Sequence, residues 1–133
     1  MDFDNLQRPG SPNTWLVAPG GYGDLQADVT SPVFSVSANA LAAAWQSVIA
    51  AKPRVTVTSV TADGLHIEAQ QRSAVFGFVD DISFRAIPLV GGRSTFIAYS
   101  RSRVGYWDLG ANRKRLTDWV TSLQQQLGPS DGH

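Results

Sequence analysis

Val55-Thr56-Val57-Thr58-Ser59-Val60-Thr61-Ala62-Asp63-Gly64-Leu65-His66-Ile67-Glu68-Ala69-Gln70 reads as two alternating runs joined by a turn. Val55 and Val57 alternate with Thr56 and Thr58. Leu65, Ile67 and Ala69 alternate with His66, Glu68 and Gln70. A period of two puts the apolar side chains of each run on one face of a strand. Ala62-Asp63-Gly64 between them is a hairpin signal. Two more strands follow with short connections. One spans roughly Phe76 to Ile87 and stops at Pro88. After the Gly91-Gly92 turn the other runs from Thr95 to Arg103. Consecutive strands with short turns pair antiparallel.

Outward from this meander lie two helical patterns. Ser37 is an N-cap, because its hydroxyl accepts from a free amide of the first turn. Leu41, Trp45, Val48 and Ile49 recur at helical spacing, Ala42 to Ala44 add propensity, and Pro53 ends the run. A second helix from about 110 to 127 carries Leu116, Trp119, Val120, Leu123 and Leu127 on one stripe, and Gly128-Pro129 ends it. Val33-Phe34-Ser35-Val36 reads as a short strand before the first helix. The expectation is an α+β fold, a mostly antiparallel sheet of four to five strands with two helices packed on one face. Residues 1–32 read as an extended segment packed on the domain, 33–128 as a single α+β domain, and 129–133 as a frayed tail.

Bulk properties bound the function. With 133 residues the chain suits one domain with a real core. Eleven basic residues balance eleven acidic ones, so no nucleic-acid partner and no broad attraction to anionic membrane is expected. There is no cysteine, hence no disulfide or thiolate chemistry. No apolar run reaches the length of a membrane span, and no signal peptide is visible. The chain as it stands is expected in the cytoplasm. Had an N-terminal anchor been trimmed, it would be membrane-anchored or exported.

The chemistry concentrates in Ser100-Arg101-Ser102-Arg103-Val104-Gly105-Tyr106-Trp107-Asp108-Leu109-Gly110-Ala111-Asn112-Arg113-Lys114-Arg115, which holds five of the eleven basic residues. Asp108 is placed to cap the last helix. Gly105, Tyr106, Asp108 and Gly110 form the structural turn. Arg113, Lys114 and Arg115 put cations at a positive helix end, which opposes the dipole and calls for counter-charge. Asp80, Asp81 and Asp108 in an ion-pair network would supply it, and so would a bound anion. In Phe76-Gly77-Phe78-Val79-Asp80-Asp81-Ile82-Ser83-Phe84 the two aspartates point to opposite faces, so they share no proton. Asp80 falls on the apolar face and needs a partner, which the next strand offers as Arg101 or Arg103. His66 stands mid-strand with no His/Asp/Glu cluster at ligand spacing, so neither a metal nor a cofactor is expected. Trp107 beside the turn is a stacking candidate if exposed.

The Phe78-Val79-Asp80-Asp81 strand and this turn resemble the domain-of-unknown-function family numbered 1499, found in bacteria and photosynthetic eukaryotes. Its pattern, Ser-x-Ser-Arg-x-Gly-x-x-Asp-x-Gly-x-Asn-x-x-Arg, is met by Ser100, Ser102, Arg103, Gly105, Asp108, Gly110, Asn112 and Arg115. Pro12-Asn13 matches a recurrent N-terminal element, and the resemblance extends from Pro12 to Leu127. Many members carry a cysteine after that Pro-Asn. Thr14 stands there instead, so no thiol role carries over. The resemblance implies no activity, and some relatives look membrane-anchored or exported.

The leading reading is a non-enzymatic module whose arginine-rich turn binds a small anionic ligand or a protein partner. Arg101, Arg103, Asn112, Arg113 and Arg115 are its binding candidates. The rival is an enzyme with Asp80 or Asp81 as general base and Arg103 holding an anionic substrate. A third reading is a scaffold subunit that docks through Trp15-Leu16-Val17.

Overall fold

The computed structural model describes residues 1–23, 26–105 and 108–128. Tyr106, Trp107 and the tail 129–133, named above as a turn residue, a stacking candidate and a frayed end, lie outside the described residues. In chain order come β1 (Thr14–Ala18), β2 (Val29–Thr30), α1 (Ala38–Ala50), β3 (Val55–Val60), β4 (His66–Arg72), β5 (Val79–Pro88), β6 (Ser94–Ser102) and α2 (Ala111–Leu127). Six strands form one sheet in the order β2-β1-β6-β5-β4-β3. All pairs are antiparallel except β1 with β2, which is parallel.

The meander and both helices follow the sequence pattern. At the first hairpin the Gly64 amide donates to the Thr61 carbonyl at 2.8 Å, and Gly64 takes φ +76°, which a residue with Cβ resists. Asp63 accepts from the Thr61 hydroxyl and the Leu65 amide, so its side chain shapes the turn. The Ser37 hydroxyl accepts from the Ala40 amide at 3.1 Å and starts α1. Arg54, just past Pro53, takes φ +58° and turns the chain into β3.

Three expectations are corrected. The sheet has six strands rather than four to five, and its N-terminal strand is β1, not Val33 to Val36. Phe34 makes only an isolated bridge to Ser94. β1 escaped the period-two signal because both its faces are covered: Trp15 and Val17 face the helices, while Leu16 and Ala18 join the core on the other side. β2, with two residues, carries no pattern at all. The third strand of the meander begins at Val79, not Phe76; Phe76 and Phe78 lie in the preceding turn and are exposed.

Both helices pack on one face of the sheet. The main core gathers Leu41, Trp45, Ile49, Leu116, Trp119 and Leu123 over Ile67, Ile82, Phe84, Phe96 and Ala98. Trp45 stacks on Phe84 at 4.5 Å and meets the Trp119 edge at 5.8 Å. Such pairs add about 0.5–1.5 kcal/mol each beyond the area they bury. The opposite face carries a smaller core of Phe3, Leu16, Ala18, Ile97 and Tyr99, closed by the N-terminal residues. Among the described residues no helix is long and apolar enough to cross a membrane.

Candidate functional site

One buried side chain organises the turn between β6 and α2. Asn112, in the first turn of α2, is fully buried. Its amide nitrogen lies within hydrogen-bonding distance of the Asn13 carbonyl (2.8 Å), the Ser102 hydroxyl (2.9 Å) and the Asp108 carboxylate (2.6 Å), three acceptors that share its two hydrogens. Its oxygen accepts from the Ser100 hydroxyl (2.6 Å) and Arg115 Nη1 (2.7 Å). Every polar valence of the amide is used, as a buried amide requires. Asn13 answers with a bond from Nδ2 to the Gly105 carbonyl at 2.8 Å. The start of β1, the end of β6 and the start of α2 are thus joined through two asparagines.

Asp108 accepts from the amides of Gly110 (2.8 Å) and Asn112 (3.1 Å). The cap position belongs to Gly110 at φ +79°, which has no side chain to cap with, so the carboxylate two residues earlier serves the helix start. Burial pushes the Asp108 carboxyl up. Hydrogen bonds from the Asn112 amide, the Gly110 amide and the Asn112 side chain outweigh it, and the group lies below its ordinary range. Leu109, beside Gly110, is held at φ +56°, a conformation that costs about 1–3 kcal/mol and persists only where surrounding bonds enforce it.

Arg115 completes this knot. Nε donates to Gln71 (2.5 Å), Nη1 to Ser100 (2.9 Å) and Asn112, and Nη2 to Asp80 (2.7 Å). The Arg115 and Asp80 side chains are only 11% and 14% exposed. Asp80 was expected to pair with Arg101 or Arg103; its partner is Arg115. The register explains the change. Asp80 stands opposite Ser102, on the helix side of the sheet, whereas Arg101 stands opposite Asp81 and faces the other way.

On that other face Asp81 takes Arg103 in a two-point pair, Nε to Oδ2 at 2.7 Å and Nη2 to Oδ1 at 2.9 Å. Hydrogen bonding to Asp81, then its charge, raises the Arg103 guanidinium above its ordinary value. Among the described residues Arg101 has no carboxylate partner. Its Nη1 donates to the Ser83 hydroxyl at 3.1 Å and its guanidinium lies 5.4 Å from the Tyr99 ring centre. Arg8 approaches the same ring at 5.9 Å while pairing with Asp28 at 2.8 Å. Arg8 Nε is buried without a hydrogen-bond partner among the described residues. A cleft of about 370 Å³ opens here, lined by Asn13, Thr14, Asp81, Tyr99, Arg101 and Arg103 among others. A smaller cleft of about 230 Å³ lies around the corner, between Arg8, Trp15, Asp108 and Arg113. Thr14 borders both. Arg113 is exposed and stacks over Trp15 at 5.2 Å.

Beside the larger cleft runs a chain that sequence reasoning missed. Ser83 donates to Glu68 at 2.6 Å, and Glu68 meets His66 Nε2 at 2.6 Å. Burial raises the Glu68 carboxyl, but hydrogen bonds from Ser83, from His66 and from the terminal ammonium bring it below its ordinary value. The carboxylate stands between serine and histidine, so the histidine cannot take the serine proton. The arrangement is not that of an activated nucleophile. His66 also stacks on Phe3 at 5.3 Å. His66 and Glu68 share a strand face at spacing two, which was legible; Ser83 and Arg8 come from distant elements and were not. No group of three or more His, Cys, Asp or Glu among the described residues could hold a metal ion.

Residues 7–123 match the family model described as a protein of unknown function, DUF1499. A comparison with curated proteins finds no match.

Proposed function

This chain belongs to the DUF1499 family over nearly its whole length, and from that premise and the geometry above we propose a non-enzymatic binding module. Its cleft, between the N-terminal segment and the sheet face away from the helices, takes a carboxylate or phosphate group of a small ligand or a protein partner. Arg101 and Arg103 contact the anion. Asn112 and Arg115 act from behind, by holding the turn that follows β6, and Arg113 lies at the rim of the adjoining cleft.

One observation carries this reading. Arg101 stands half-buried in a cleft with a hydroxyl and an aromatic ring for company, and none of the ion pairs among the described residues includes it. A guanidinium drawn partly out of water gains most from a planar anion that accepts two hydrogen bonds. The enzyme reading has less support. Both oxygens of Asp81 accept from Arg103, and Asp80 is enclosed by the knot, so neither carboxylate can take a substrate proton without breaking its pair.

The test is thermal melting of the full chain with millimolar phosphate, citrate and chloride as probes. Phosphate or citrate raises the melting temperature and chloride at equal ionic strength does not. Arg101→Gln removes the rise while leaving the anion-free melting temperature close to that of the parent. A rise that survives Arg101→Gln, or no rise with either anion, overturns the reading.

A further inference from the structure

One end of the sheet gathers exposed apolar side chains and uncompensated cations. The β4–β5 connection projects there, with Val75 82%, Phe76 75% and Phe78 53% exposed. The two phenylalanine rings stack on each other at 5.5 Å instead of turning inward. The turn is nevertheless built. Ser73 exchanges backbone bonds with Phe78 and Gly77, its hydroxyl accepts from the Phe78 amide at 3.0 Å, and Arg72 Nη1 donates to the Gly77 carbonyl at 3.3 Å. The β5–β6 register pairs Asp80 with Ser102, so the chain leaving β6 emerges at the same end, where Val104 is 53% and Leu109 70% exposed.

The charges at this end are uneven although the whole chain is neutral. Asp80, Asp81 and Asp108 are spent on Arg115, on Arg103 and on the amides opening α2. Arg54 and Arg72 donate only to backbone carbonyls, Arg113 only stacks on Trp15, and no ion pair among the described residues includes any of these or Lys114. The net zero therefore hides a local positive rim around an apolar point. Screening over about 10 Å at ordinary salt lets a nearby surface sense the rim rather than the total.

We propose that this end docks on an anionic lipid bilayer. Val75, Phe76 and Phe78 enter the boundary between headgroups and acyl chains, and Arg54, Arg72, Arg113 and Lys114 meet lipid phosphates and carboxylates. A convex tip suits a fluid surface that closes around it. A stable protein interface needs about 800 Å² of matching surface on each side, which a projecting turn does not present. Cations around an apolar point complement a negatively charged interface. Docking here does not use Arg101 or its cleft; Arg113, at the rim of the adjoining cleft, is the one residue the two readings share.

The experiment is flotation of the full chain with vesicles of phosphatidylcholine alone and of phosphatidylcholine with phosphatidylserine. The protein floats with the phosphatidylserine vesicles and little with the others, and molar salt releases it. Phe76→Ser with Phe78→Ser, two exposed positions, weakens binding at least about tenfold without lowering the melting temperature. Arg113→Gln with Lys114→Gln weakens it less and flattens the salt dependence. Failure to float with phosphatidylserine vesicles overturns the proposal, as does undiminished binding by the Phe76/Phe78 variant. A parent protein that is dimeric in solution and becomes monomeric in that variant would assign the tip to a second copy, and overturn it likewise.

Discussion

Asp80 and Asp81 are neighbours in β5, each paired with an arginine, yet the two pairs differ in kind. Asp80 meets Arg115 inside the knot, with side chains 14% and 11% exposed. Asp81 meets Arg103 at the sheet rim, where the arginine is 51% exposed. The first pair has a lattice of further partners in Gln71, Ser100 and Asn112. The second has two bonds and water. A strand's period of two sends adjacent carboxylates to opposite faces, and the faces decide the energetics. Removing one member of a desolvated pair strands a charge, whereas an exposed pair is screened and loses little. Residues of one motif thus divide between architecture and surface.

The sharpest way to break that contrast is Asp80→Ala. It should lower stability by about 3–5 kcal/mol, because Arg115 stays buried without its carboxylate, as read from chemical denaturation. Asp80→Leu with Arg115→Met should recover only part of the loss, since Ser100, Asn112 and Gln71 also lose a donor. Asn112→Ala should follow at about 2–4 kcal/mol, from several buried groups left unpaired at once, with the denaturant slope unchanged. Asp108→Ala should cost about 0.5–2 kcal/mol, as lost helix caps do. Its signature is in the pH curve. A carboxyl held below its unfolded value of about 3.9 stabilises above that pH, and loses the contribution as pH falls through the lower folded value. The variant's acid limb should therefore be shallower, and not flat, because Glu68 is depressed too. Asp81→Ala should barely move the melting temperature, and molar salt should erase what effect remains. A large loss at Asp81 would mean the rim pair is as structural as the buried one.

Much of this was legible in the sequence. The hairpin at Asp63-Gly64, the Ser37 cap and the two apolar stripes rest on local rules, and each lies where its pattern put it. The opposed directions of Asp80 and Asp81 follow from the same period. The need for counter-charge near the α2 start was also legible; Asp80 meets it for Arg115 and Asp108 serves the opening amides, while Arg113 and Lys114 pair with no carboxylate among the described residues. The identity of the partners was not. Arg115 reaches Asp80 only because α2 lies over β5, and Gln71 joins because β4 lies beside it. Likewise β1 shows no alternation because cores cover both its faces.

The sequence alone determined the meander, the two amphipathic helices and a crowded polar turn, since these depend on side-chain period, turn chemistry and charge counted along the chain. Tertiary structure alone decided which arginine is enclosed and which faces an open cleft, and it placed Phe76 and Phe78 outside the core. Those outcomes depend on which elements pack together and how much water they exclude, and neither quantity is written in any local stretch of residues.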